Sequence, residues 1–406
     1  MRPVPLARPF HACTLLAAAV LALAVLPAAA RAQGRMLYRW TQATADGGWE
    51  MRSVYDGGGG CPAGQRVRAM PSDSFPVTVC TRRQAAPPAS AQRIAVIGDT
   101  GCRAKGTDQQ PCTDPALWPF AAVAGDVRDA RPQLVLHLGD YLYRESCNQY
   151  TSVCGDNWAA WNADFFAPAG TLLGAVPWVF VRGNHEDCTR GGDGWFVFLD
   201  PRPYSAAAGC REFTDPYAVQ VPGLGKLLII DSACAPSYST CASADTTVAE
   251  YQRQIRLLNG MAGASSTWLA THVPVWGVDF PGADSAGGAR MQAALAAAGG
   301  AGALPARTQF LLVSHIHAWE AITWVAAAAG QAQRPAVLVV GNSGTELSPV
   351  PEKPAGTVLD GVATRDLRMV NGVFGFVLME KLGDSWRAAL QPLNTSCVVQ
   401  GTVARC

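Results

Sequence analysis

Four of the six histidines in this 406-residue chain, His185, His272, His315 and His317, stand where short apolar runs give way to polar turns. Asp99, Asp140 and Asn184 hold equivalent positions, in IGDT (97–100), GDYLY (139–143) and VRGNHED (181–187). The later motifs are ATH (270–272) and SHIH (314–317). One such histidine alone is more often a satisfied core or surface residue than a ligand, but the whole set at strand ends points to metal. Two cations roughly 3.5–4 Å apart need a shared anionic ligand, a few terminal ligands each and an open edge for substrate and water. A carboxylate can bridge, while imidazole and amide oxygen cap a cation without adding negative charge. Such a pair brings the ionisation of bound water close to neutral pH and neutralises charge developing on a phosphoryl group. A further histidine can protonate the departing alkoxide.

The elements that must position these residues are visible as apolar runs. From Arg93 they read RIAVIGD, QLVLHLGD, PWVFVRGN, GKLLIIDS, TWLATH and QFLLVSH. Unbroken runs of this length predict strands buried on both faces. Amphipathic stretches at 116–130 and 248–261 lie between them, so the unit repeats as strand, loop and helix. This predicts an α/β core with its chemistry at the carboxyl ends of strands, where ligands collect in such sheets. Further strands without ligand-type residues are expected at 336–341 and 373–380, with a hairpin near 385–405. Residues 33–90 are rich in glycine and turn residues and read as a small β module and linker. GGGG at 57–60 is a loop and no phosphate cradle, because no Lys-Ser/Thr and no helix pattern follow.

The first residues differ in kind. Arg2 and Arg8 precede an apolar stretch from Thr14 to about Ala30, and Ala30-Arg31-Ala32 offers small residues where a signal peptidase reads. Residues 1–32 are expected to be a signal peptide. The apolar stretch is shorter than the roughly 20 residues that span a bilayer, so no membrane span is expected after cleavage. Removing it takes three arginines and leaves 29 basic against 31 acidic side chains, about −2. No basic stripe is visible, and nucleic acid binding is not expected. Of 13 cysteines only Cys13 falls in this segment. The even twelve that remain suit an oxidising, secreted or periplasmic location. Near-neighbour spacing suggests Cys61 with Cys80, Cys102 with Cys112, Cys147 with Cys154, Cys188 with Cys210, Cys234 with Cys241 and Cys397 with Cys406. Thiolate zinc sites usually carry close C-x-x-C pairs, and none occurs here.

The five motifs, in this order over residues 93 to about 320, resemble the calcineurin-like metallophosphoesterase superfamily. Most members have a histidine two residues after the first aspartate, whereas this chain has Asp99-Thr100-Gly101 and places Tyr143 three residues after Asp140. That combination resembles the purple acid phosphatase branch. The resemblance implies a four-layer fold of two packed mixed β-sheets flanked by helices over residues 91–406. It implies a first metal held by Asp99, Asp140, Tyr143 and His317, and a second by Asp140, Asn184, His272 and His315, with Asp140 bridging. His185 matches the position that contacts phosphate and protonates the leaving group. A phenolate ligand favours a hard trivalent ion, so the implied pair is Fe(3+) with Zn(2+), Mn(2+) or Fe(2+), and the filled site keeps one net positive charge for a phosphate anion.

Two departures stand out. Ser314 precedes His315 where the family usually has glycine, and VPVWGVDFPGADSAGGAR lacks the histidine that related acid phosphatases often carry downstream of His272. Trp276 or Asp279 would occupy that region. Glu186 and Asp187 could orient the His185 imidazole or sit as solvated turn acids. Asp231 reads first as a turn or capping acid and second as a group supporting a ligand, His137 as core or a supporting group, Asn342 and Ser343 as a turn whose loop could contact substrate, and Trp158, Trp161 and Trp195 as core or cleft rim. Ser232 and Ser314 lack a nucleophile elbow. The reading that follows is a secreted dinuclear phosphatase acting on small-molecule phosphate monoesters by attack of metal-bound hydroxide. The alternatives are a phosphodiesterase for nucleotides or phospholipid headgroups with the same metals, and a non-catalytic extracellular binding protein.

Overall fold

The computed structural model describes residues 34–84, 90–279 and 288–393, together with Met1 and the backbone of Val398–Gln400 and Val403–Arg405. The expected signal peptide and the pairing of Cys397 with Cys406 lie outside these residues. Two mixed sheets pack face to face. The first is built on β5 (Arg93–Ile97), β8 (Leu134–His137) and β9 (Trp178–Phe180), which run parallel. β18 (Gly375–Leu382) and β19 (Ser385–Pro392) extend it antiparallel on the β5 side. On the other side lie β1 (Met36–Ala43), β2 (Trp49–Asp56), β4 (Val77–Gln84) and β3 (Arg66–Ala69), giving nine strands. A short hairpin of β6 (Ala104–Lys105) and β7 (Asp108–Gln109) stands apart.

The second sheet has eight strands. Its parallel centre is β11 (Gly225–Ile229), β12 (Thr267–Ala270), β13 (Thr308–Val313) and β15 (Ala336–Val340). β10 (Tyr217–Val221) flanks it antiparallel at one edge; β14 (Trp319–Trp324), β17 (Val362–Val370) and β16 (Val358–Leu359) complete the other.

The strand periodicity of two explains both the unbroken apolar runs and the layers. Ile94, Val96, Leu134 and Leu136 point between the sheets, where they meet Leu227, Ile229, Trp268, Leu312 and Leu338. Their neighbours Ala95, Ile97 and Val135 point outwards onto α1 (Phe120–Asp129), α2 (Trp158–Trp161), α3 (Ala167–Leu173) and α4 (Gly192–Phe198). On the far side, Leu228, Leu269, Leu311 and Val337 pack under α5 (Ala244–Ala262) and α6 (Ala289–Ala298). The result is the four-layer helix, sheet, sheet, helix architecture expected from the resemblance.

The segment assigned to an N-terminal module supplies β1 to β4, which join the first sheet through the parallel pairing of Gln42 with Trp178. Buried guanidinium groups fasten it further: Arg68 donates to the carbonyls of Val197, Arg202, Phe196 and Asp200, and Arg52 donates to that of Asp200 at 2.7 Å. The boundary placed near residue 90 therefore falls between strands of one sheet. Composition registers a change of texture there, but strand pairing across 136 residues leaves no local mark.

Candidate metal centre

Five parallel strands deliver the motifs to one edge, since β5, β8, β9, β12 and β13 end just before Asp99, Asp140, Asn184, His272 and His315. The turns are tight enough to force three of these residues into the left-handed region: Asp99 at φ 52°, Asp140 at φ 60° and His315 at φ 73°. Such conformations cost about 1–3 kcal/mol each away from glycine and cluster where a site demands them. The glycines beside them answer to close approach. A Cβ on Gly183 would lie 2.1 Å from Asp140 Oδ1, and one on Gly98 would lie 2.4 Å from Ser314 Oγ. The second clash explains how Ser314 is accommodated: Gly98 leaves room for its hydroxyl, which donates to Asp99 Oδ2. The backbone N–H of His315 donates to the same oxygen at 2.9 Å.

All seven expected ligands converge, and Asp140 is at their centre. Its Oδ2 lies 2.8 Å from Tyr143 OH and 3.1 Å from His272 Nε2. On one side Tyr143 OH is 2.8 Å from His317 Nε2, which is 3.4 Å from Asp99 Oδ1. On the other, His272 Nε2 is 2.9 Å from Asn184 Oδ1, and His315 lies close enough to share a cation with Asp140 and His272.

The hydrogen-bonding partners of these residues suit metal ligands. His272 Nδ1 lies 2.8 Å from the Leu138 carbonyl, and His317 Nδ1 2.8 Å from that of Glu346. A carbonyl only accepts, so each Nδ1 carries the proton and each neutral ring turns a lone pair inward on Nε2. There His272 meets two more acceptors, Asp140 Oδ2 and Asn184 Oδ1. Lone pairs converging on one space need a proton or a cation between them. Asp99 Oδ1 and His315 Nδ1 are buried without a hydrogen-bond partner, as unused ligand atoms would be. The donor set fits two cations.

The ionisation pattern without metal says the same. Burial opposes charge on His272, but Asp140 outweighs it and pushes the imidazole up to about 9. Burial likewise opposes charge on Asp140, yet His272 and His185 hold its carboxyl well below the usual range. Burial and then Asp140 and Asp99 raise the Tyr143 phenol. Burial and then His272 drive His315 down. One proton on His272 thus takes the place a cation would fill.

His185 lies beside this set. Its ring stacks on Tyr143 at 3.6 Å between centroids, its Nε2 is 4.0 Å from Asp140 Oδ2, and its backbone N–H donates to Asp140 Oδ1 at 2.9 Å. Its Nδ1 is 2.5 Å from Glu145 Oε1, an ion-pair contact off the ring's N–H axis. Burial lowers the imidazole, while Asp140 and Glu145 pull it back up. Glu145 escaped the sequence reading. It follows Tyr143 by two residues, and spacing alone does not separate it from a solvated turn acid.

Glu186 and Asp187 do other work than orienting His185. Glu186 is fully buried and accepts from the backbone N–H groups of Asp140, Tyr141, Leu142 and Gly183 at 2.8–3.1 Å, clamping the turn that carries Asp140. Burial and Asp140 push its carboxyl up to about 8. Asp187 pairs with Arg190 at 2.6 Å, and Asp231 pairs with Arg182 at 3.2 Å while accepting from Thr214 at 2.6 Å. His137 is buried, 2.9 Å from Thr100 Oγ1 and stacked on Tyr141. Asn342 donates to the Val373 carbonyl and Ser343 to that of Gly375, so both tie β18 to the core. Trp161 and Trp195 are core, with Trp158 packed against it.

Tyr143, His185, His315 and His317 line a cavity of about 330 Å³ together with Arg103, Lys105, Tyr238, Asp279 and Ser348. Clefts of about 660 and 640 Å³ elsewhere have no convergent ligands. Trp276 faces away, donating to Asp360 at 2.9 Å under the Arg334 guanidinium, whereas Asp279 reaches the cavity. Disulfides staple the surrounding loops as spacing suggested: Cys61–Cys80, Cys102–Cys112, Cys147–Cys154, Cys188–Cys210 and Cys234–Cys241. Local loops of this kind restrict the unfolded chain and hold a site rigid. Glu212 approaches Cys234 and Cys241, but both sulfurs are spent in the disulfide.

Residues 92–284 match the family model of calcineurin-like phosphoesterases. His315 and His317 lie beyond the match and join it through geometry. A purple acid phosphatase isolated from yellow lupin (Lupinus luteus) seeds, 13% identical, is similar over 87% of this chain and 72% of its own, with a TM-score of 0.51. PhoD, 12% identical, is similar over 89% of this chain and 88% of its own, with a TM-score of 0.50. Identities this low speak to fold alone. Among curated proteins no sequence matches the chain.

Proposed function

From a chain that carries a calcineurin-like phosphoesterase domain over residues 92–284, a domain that implies a dinuclear metal site, we propose a secreted phosphatase that hydrolyses phosphate monoesters. The observation that carries this reading is the position of Asp140 Oδ2, within 3.1 Å of both Tyr143 OH and His272 Nε2. One carboxylate oxygen between two ligand groups is what a bridge requires. The first cation would be held by Asp99, Asp140, Tyr143 and His317, the second by Asp140, Asn184, His272 and His315. Two bound cations supply Lewis acidity and an activated nucleophile for phosphoester hydrolysis.

The chain's own residues do the rest. Leu138 and Glu346 fix the tautomers of His272 and His317 through their carbonyls. Glu186 holds the Asp140 turn. His185, gripped between the Tyr143 ring and the Glu145 carboxylate, keeps Nε2 beside the bridging position, from where it delivers a proton to the leaving oxygen. Arg103 and Lys105, the latter 3.8 Å from Glu145, bring positive charge to the cavity lining, which suits a phosphate anion. Five disulfides fit an oxidising compartment, and among the described residues no helix is long and apolar enough to cross a membrane.

Parallel assays of the metal-loaded protein on a phosphate monoester and its matching diester test the substrate class. Preferential monoester turnover is expected; a diester preference would move the assignment to a phosphodiesterase. Tyr143 carries the metal identity. A phenolate on Fe(3+), paired with Zn(2+), Mn(2+) or Fe(2+), should give a visible charge-transfer band, and Tyr143→Phe should abolish it. A colourless, fully active protein loaded with zinc or manganese alone would sink the ferric assignment.

A further inference from the structure

The stretch after His272 has no histidine; of its described residues Trp276 turns away and Asp279 reaches the cavity. Beside Asn184 stands Tyr238, which comes from the loop between β11 and α5. The residue as a whole is 58% exposed, yet its hydroxyl reaches inward to 3.5 Å from Asn184 Nδ2 and borders the cavity shared by Tyr143, His185, His315 and His317. The polarity of that contact is fixed by chemistry. Asn184 Oδ1 faces His272 Nε2, so its amide nitrogen is the end that meets the phenol. An amide nitrogen only donates; the Tyr238 oxygen accepts, and the phenolic proton is left for another acceptor.

The loop that carries this hydroxyl is held from several sides. Cys234–Cys241 closes it. The Arg290 guanidinium, at the start of α6, donates to the carbonyls of Cys234 at 3.3 Å, Ser237 at 3.0 Å and Ser239 at 3.4 Å. The Tyr251 hydroxyl, on α5, accepts from the Cys234 N–H at 3.1 Å. A surface loop pinned in this way presents its side chain without reorganisation, which is the condition for a donor to stabilise charge during reaction.

We propose that Tyr238 is a catalytic residue whose hydroxyl donates a hydrogen bond to a non-bridging oxygen of the substrate phosphoryl group on the Asn184 side of the site. It supplies a polar donor beside Asn184 in a chain whose stretch after His272 contains no histidine. The inference rests on the phosphatase reading. It deepens that reading by naming a neutral donor in the cavity that Arg103 and Lys105 also line.

The test uses the metal-loaded full chain with inorganic phosphate as the probe, comparing wild type with Tyr238→Phe by calorimetry, together with metal content and monoester kinetics. Loss of one hydrogen bond to an anion should weaken phosphate binding about tenfold to a hundredfold and lower kcat/KM in step, with metal content unchanged. Equal phosphate affinity in the two proteins overturns the inference. So does a loss of metal from Tyr238→Phe with phosphate affinity per loaded site intact, because Tyr238 would then only support Asn184. Wild-type protein with two metals and no affinity for phosphate would overturn the phosphatase reading itself, a result distinct from either.

Discussion

Asp140→Asn should strip the protein of most of its metal and remove turnover, while leaving the chain folded. The substitution is nearly isosteric, and an asparagine Oδ1 can still accept the His185 backbone N–H that Asp140 Oδ1 accepts at 2.9 Å. What disappears is the negative charge between the Tyr143 and His272 sides. Residues that merely support a ligand cost about 10- to 100-fold in metal affinity when lost. A shared ligand should cost more, because both cations lose a partner and face each other with less charge between them. Metal analysis, circular dichroism and monoester turnover on one preparation check this. A variant that keeps two metals and more than a tenth of wild-type activity would show that Asp140 does not bridge.

His185→Ala should divide the effects differently. Metal content should stay near that of wild type, since the seven ligand side chains are untouched. Turnover of alkyl phosphates should fall by about 10²–10⁴, the usual contribution of a positioned proton donor. An aryl phosphate with a good leaving group needs little protonation and should lose far less. That contrast separates proton delivery from a mere packing role for the ring stacked on Tyr143. An equal loss on both substrates, accompanied by metal loss, would assign His185 to holding the site together.

The legible part of this protein was what lies next to strand ends. Asp99, Asp140, Asn184, His272 and His315 each follow an apolar run, and parallel strands have no choice but to end near one another. Tyr143 and His317 follow within three residues of Asp140 and His315. Disulfides among near neighbours were readable for the same reason. Residues that reach the site from elsewhere were not. Glu145 and Tyr238 have ordinary turn surroundings, and only the closing of their loops brings them to the cavity. Glu186 stood in plain view beside His185, but its four backbone donors come mostly from a turn more than 40 residues away. Asn342 and Ser343 sit in the turn expected of them, but their side chains are spent on the carbonyls of Val373 and Gly375. The joining of β1 to β9 likewise depends on a pairing that no local pattern encodes.

Ser314 shows how a departure in sequence is absorbed in space. Its side chain fits because Gly98 has none, and the added hydroxyl bonds Asp99 instead of displacing it. The ligand set is therefore compatible with both family-typical and altered neighbours, provided small residues compensate.

The metal stoichiometry of the purified chain beginning at Gln33, measured after reconstitution and removal of excess ions, tests the dinuclear centre most directly. Close to two equivalents per chain is the result expected from seven ligands centred on a shared Asp140. Less than one equivalent, with the protein folded, would contradict it.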